Sequence, residues 1–94
     1  MSDSTLHILN RGPNQPDLLQ HLLDAMSEGD QILLIEDGIY WASEHFAERF
    51  LLARPKVLAA DAEARGLTNL SFETVDDGDF VELCVEHRRS VSWC

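Results

Sequence analysis

The sequence predicts an α/β fold, a three-layer α/β/α arrangement around a mostly parallel sheet of four to five strands. Two observations carry this. Ile32 to Ile35, preceded by Gln31, is a short apolar run that stops abruptly at Glu36-Asp37-Gly38. A run of that length without polar alternation suits a strand buried on both faces. On either side of it, strand-like segments alternate with helical ones, the order expected of parallel strands joined by crossover helices. With 94 residues, 45% of them apolar, the chain is read as one domain, residues 1–94, with enough apolar side chains for a packed core.

In chain order, Thr5 to Asn10 forms the first strand and Arg11 to Pro16 (RGPNQP) is turn chemistry. Asp17 is the expected cap of a helix whose Leu18, Leu19, Leu22, Leu23 and Met26 share one face, and Gly29 is the expected left-handed stop. Gln31 to Ile35 is the second strand. A helix is predicted from about Tyr40 to Ala53, with Phe46, Phe50 and Leu51 as its apolar contacts and Arg54-Pro55 at its close. Lys56 to Ala60 gives a short third strand, and Asp61 is expected to cap a brief helix, DAEAR, ending at Gly66. Ser71 to Val75 is an extended segment or fourth strand. Asp76 or Asp77 opens a last helix through Phe80, Val81, Leu83 and Cys84, and Ser90 to Trp93 forms the final strand.

Charge and composition remove several functions. Seventeen Asp and Glu against 7 Lys and Arg leave a net charge of −10. Nucleic-acid affinity needs clustered cations, and Arg88-Arg89 and Arg54-Lys56 are too sparse for that, so no direct nucleic-acid partner is expected. A basic protein partner fits better. No apolar run approaches the roughly 20 residues of a membrane span, and MSDSTLHIL lacks the features of a signal peptide, so a cytoplasmic location is expected. Gly12 and Gly38 stand alone and do not make a phosphate loop, and no cofactor is predicted. Cys84, His87 and Cys94 lack a fourth ligand for a structural zinc site, and no metal is predicted either.

A succession of segments then becomes informative. Leu6-His7-x-Leu9-Asn10-Arg11-x-Pro13 is followed by a leucine-rich helix and by Gly29-Asp30-x-Ile32-Leu33-Leu34-Ile35-Glu36-Asp37-Gly38. After these come Ala64-Arg65-Gly66-Leu67, Val75-Asp76-Asp77-x-x-Phe80-Val81-x-Leu83, His87 and Trp93. The succession resembles the TusB/DsrH family, the smallest subunits of the TusBCD and DsrEFH sulfur-relay complexes, over nearly the whole chain. The resemblance implies a cytoplasmic heterohexamer with TusC- and TusD-like subunits. Such a complex takes persulfide sulfur from a TusA-like carrier and passes it to a TusE-like one, for 2-thiolation of the tRNA wobble uridine. The DsrEFH branch serves sulfur oxidation instead. In both, the principal sulfur-carrying cysteine belongs to the TusD/DsrE subunit, so a TusB-like chain is expected to be non-catalytic. Some DsrH-like members carry a cysteine in the first helix, where this chain has Leu22 between His21 and Leu23. That departure favours the tRNA-thiolation branch, or at least a subunit without that sulfur-accepting role.

The remaining candidates have competing roles. Glu36 and Asp37 could form an acid–base pair, but capping and loop shape are equally natural, and a subunit contact by Asp37 suits the resemblance. No catalytic residue is assigned. Cys94 could accept persulfide sulfur if it is exposed, whereas Cys84, between Leu83 and Val85, is expected to be buried and inert. His7 is expected to be a hydrogen-bonded core or interface residue, and His21 and His45 to lie on helix surfaces. Tyr40 and Trp93 belong either to the core or to a subunit interface. A small-ligand module near Asp37 and Tyr40 is a third functional possibility.

Overall fold

The computed structural model describes residues 4–50 and 53–94. Five parallel strands form one sheet: β1 (Thr5–Leu9), β2 (Gln31–Leu34), β3 (Lys56–Leu58), β4 (Thr74–Val75) and β5 (Arg89–Trp93), in the order β4-β3-β2-β1-β5. The register sets His7 beside Ile32 on one side and Val91 on the other, and Leu9 beside Leu34 and Trp93. From β1 the chain steps through β2 and β3 to β4 in one direction. It then returns across the whole sheet to place β5 on the free side of β1. With right-handed crossovers, the return must use the opposite face of the sheet from the outward steps.

Side-chain alternation along the strands bears this out. Leu9, Ile32, Leu34 and Val57 point to one face, where they pack with Leu19 and Leu22 of helix α1 (Pro16–Ala25) and Ala62 of helix α2 (Ala59–Ala64). Leu6, Ile8, Leu33, Leu58 and Val75 point to the other, where only Phe80 and Leu83 of helix α3 (Asp77–Glu86) reach them. The sheet is therefore the middle of three layers, as the sequence predicts. β2 is apolar after Gln31, and β1 is buried along its whole length, Thr5 and His7 included, because both faces of the two strands are covered.

The helix predicted from Tyr40 to Ala53 does not form. Glu36–Ala42 and Ala47–Phe50 are instead two short 3-10 helices, and residues 51 and 52, including Leu51 of that expectation, lie outside the described residues. The cause is a long-range pairing. Ser43 leaves the first turn with extended backbone (φ −70°, ψ 155°) and bridges Leu70, and the Ser71 N–H donates to Ala42 O at 2.8 Å. Trp41 then packs edge-on against Phe46 and Phe50, with ring centroids 5.3 and 6.3 Å away. Aromatic packing and this bridge replace the helical hydrogen bonds.

Several boundaries also move. α1 begins at Pro16, whose missing N–H costs nothing in the first turn, so Asp17 is a first-turn acid rather than the cap. α1 ends at Ala25, and Gly29 takes its positive φ of 91° in the turn that leads to β2. β3 stops at Leu58, and Ala59 and Ala60 already belong to α2, so Asp61 does not cap that helix. Asp76 does cap α3, in a reciprocal box with Asp79.

Candidate functional site

The strand order reverses between β1 and β5, and the loops at the carboxyl ends of the strands are where sheets of this class carry their sites. Here that edge is assembled from Asn10 to Gly12 after β1, Glu36 to Gly38 after β2, Asp61 on α2 and Arg65 just after it, and Trp93-Cys94 at the end of β5. Ile35 N–H donates to Leu9 O at 3.1 Å, and Gly38 N–H to Ile35 O at 2.8 Å, so the β2 loop folds back over the end of β1. The two loops touch backbone to backbone. A Cβ on Gly38 would lie 2.1 Å from Leu9 O, and one on Gly12 would lie 2.9 Å from Asp37 O. Only glycine permits either approach.

Glu36 sits in the left-handed region with φ 48°, an unusual position for a residue with a side chain. Its N–H is held by the Asp61 carboxylate at 2.7 Å, and Arg65 Nε donates to Asp37 Oδ1 at 3.2 Å. One contact comes from α2 and the other from Arg65 just after it, and together they fasten the Glu36-Asp37-Gly38 turn from outside. Asp37 is thus engaged by a guanidinium, while Glu36 is held through its backbone N–H. Trp41 Nε1 donates to Arg11 O at 3.1 Å and secures the neighbouring loop. Tyr40 is exposed on the same turn. The Oδ1 of Asn10 is buried and has no hydrogen-bond donor among the described residues.

At the β1–β5 side, the buried polar group is a chain of three residues. Trp93 Nε1 donates to His7 Nδ1 at 3.1 Å, and His7 Nε2 lies 2.8 Å from Asp30 Oδ2. An indole can only donate, so the geometry assigns the His7 proton to Nε2, where it is shared with Asp30. The His7 and Asp30 side chains are 4% and 5% exposed. Burial alone would raise the Asp30 carboxyl. Hydrogen bonds from Thr5 N–H, from His7 and from Ser27 N–H outweigh it and hold the group below its ordinary value of 3.8. His7 is thus a buried, hydrogen-bonded core histidine.

The thiols divide differently from expectation. Cys94 is exposed at the carboxyl edge, and Cys84 is exposed too, contrary to the buried thiol predicted. One residue along a helix is a turn of 100°, which carries Cys84 off the face that Leu83 buries. His87 Nδ1 donates to Leu83 O at 2.8 Å, which fixes its ring against the end of α3. Among the described residues no group of three His, Cys, Asp or Glu could hold a metal ion. His21 is exposed on α1 as expected, whereas His45, also exposed, lies in the turn between the two 3-10 helices and not on a helix. Asp30, Asp61 and Arg65 were not singled out as site residues by sequence, because each acts on a partner 23 to 28 positions away.

The profile of the family described as DsrH like protein matches residues 11–90. The protein TusB of Enterobacter sp. (strain 638) is 36% identical over 95 aligned positions, covering 94% of this chain and 99% of that one. The chain belongs to the DsrH-like family. The protein TusB of Escherichia coli O81 (strain ED1a) is similar at 37% identity with the same coverage. The solution NMR structure of protein Tm0979 from Thermotoga maritima superposes with a TM-score of 0.69, covering 87% of this chain and 92% of that one. At 22% identity it speaks for the fold alone. Among the described residues no helix is long and apolar enough to cross a membrane.

Proposed function

We propose that the chain is a non-catalytic subunit of a cytoplasmic TusBCD-like complex that relays persulfide sulfur for 2-thiolation of the tRNA wobble uridine. It assembles with TusC- and TusD-like subunits in a heterohexamer, and meets TusA- and TusE-like sulfur carriers through that complex. The observation that carries this is full-length likeness to proteins TusB combined with a strand-end turn whose groups are spent on structure. Asp61 holds the Glu36 backbone N–H and Arg65 the Asp37 carboxylate. Asp37, Tyr40 and Trp93 are its contact residues toward the sister subunits, and His7 supports Trp93 from beneath.

Co-expression with the TusC- and TusD-like chains of the same source tests it. A single species containing all three chains by native mass spectrometry is expected. Three chains that elute separately at low salt would overturn the proposal.

A second reading rests on the exposed Cys94 at the carboxyl edge. There a thiolate could attack the outer sulfur of a donor persulfide, releasing the donor's thiolate and leaving a persulfide on Cys94. Exposure to a persulfide donor followed by mass spectrometry separates the two readings. Added sulfur that disappears in Cys94→Ser supports a carrier, whether in tRNA thiolation or in a DsrH-like oxidation pathway. Added sulfur that persists in that variant excludes Cys94.

A further inference from the structure

The side of α3 turned away from the sheet is apolar. Phe80 and Leu83 face the sheet, while Val81 and Val85, one helical turn apart on the opposite side, are 62% and 79% exposed. Valine at an exposed helical position lowers helix propensity and buries nothing, so the folded chain by itself gives these two residues no stabilising role. Around them the helix is acidic. Asp77, Asp79, Glu82 and Glu86 are all exposed, and Asp77–Glu86 contains no lysine or arginine. Asp79, Glu82 and Glu86 also line a groove of about 210 Å³ against Glu73 and Lys56. The cation of that groove, Lys56, is already paired with Glu73.

Charge selects what covers this surface. Two copies meeting through α3 would bring their carboxylates together on chains of net charge −10, which works against self-association. We propose that the outer face of α3 docks a basic protein surface. Val81 and Val85 enter an apolar socket on the partner, and its Lys or Arg side chains reach Glu82, Glu86 and the groove beside them. The inference rests on the sulfur-relay reading for its choice of probes, which are the purified TusC- and TusD-like subunits and TusA- and TusE-like carriers of the same source.

Binding to each probe is measured by calorimetry for the wild type, for Val81→Ala/Val85→Ala and for Glu82→Gln/Glu86→Gln. Alanine is the better helix former, so the first variant should melt at the wild-type temperature or above, which separates docking from folding. For at least one probe, both variants should weaken binding by about ten-fold or more. Wild-type affinity for that probe should fall as salt rises across the range where the screening length drops below about 10 Å. If every probe that binds the wild type binds both variants equally well, this inference is overturned and the sulfur-relay reading stands. If no probe binds the wild type, both fail. A homodimer that the valine variant dissolves would overturn the choice of partner.

Discussion

Asp30 gathers three hydrogen bonds near the β1–β5 side, and its charge is what makes them strong. Its carboxylate accepts from Thr5 N–H at 2.8 Å, Ser27 N–H at 3.0 Å and His7 Nε2 at 2.8 Å. Asp30→Asn removes the charge and leaves at least one of these donors facing another donor, a loss of about 2–3 kcal/mol by the usual worth of charge-assisted bonds. Because the folded carboxyl is held below 3.8, the unfolded chain binds the proton first as pH falls. The stability from Asp30 is therefore complete above the ordinary carboxylate value and drains away as pH drops through the lower, folded one. Urea melts of wild type and Asp30→Asn should differ by a constant amount near neutrality and converge below about pH 4. Gly38 makes a steric demand rather than an electrostatic one. Gly38→Ala sets a Cβ against the Leu9 carbonyl, 2.1 Å away on the unaltered backbone, and both partners are main chain. A loss of about 3 kcal/mol or more is expected, read as a lower urea midpoint with an unchanged slope.

At the scale of elements, β5 shows how a strand with little buried surface is kept in place. Arg89, Ser90, Val91 and Ser92 are exposed and Trp93 is half-buried, and the strand pairs with β1 alone. Its anchor is the Trp93 indole on His7, since the rings also lie with centroids 6.1 Å apart. Trp93→Phe keeps most of the ring contact and deletes the N–H donor. A cost of about 1 kcal/mol is expected, or a melting temperature lower by about 4–8 °C in a domain of this size. An unchanged melting temperature would show that ring contact alone holds β5. β2 was legible in the sequence because it is apolar on both faces, and α3 because Asp76 stands ahead of Phe80, Val81 and Leu83. The segment after Gly38 was not. Its conformation is set by Leu70 and Ser71, more than 25 positions downstream, and no local periodicity records that contact. The same holds for the site: Glu36-Asp37-Gly38 announced itself as a strand end, but Asp61 and Arg65, which tie it down, read as surface charges of a short helix. Cys84 was misjudged because its apolar neighbour Val85 points outward, so adjacency in sequence stood in for a helical face.

The whole molecule carries a charge of −10 on 94 residues, and few cations are placed to offset it. Arg65 meets Asp37 and Lys56 meets Glu73, both near the surface, where such pairs are worth well under about 1 kcal/mol. Like charge distributed over so small a body opposes compaction. The isolated chain should therefore be stabilised by screening. Raising sodium chloride from about 20 mM to about 300 mM shortens the screening length from roughly 20 Å to under 10 Å, and the melting temperature should rise by several degrees. Glucose at matched osmolality should not reproduce the rise. Bound to a basic partner, the same chain has its acidic surface neutralised and its folded form favoured by mass action. Its melting temperature should then be higher at low salt and should fall as salt is added, because screening now weakens the attraction. The sign of the salt response thus reports whether the negative charge of this chain is a burden carried alone or half of an interface.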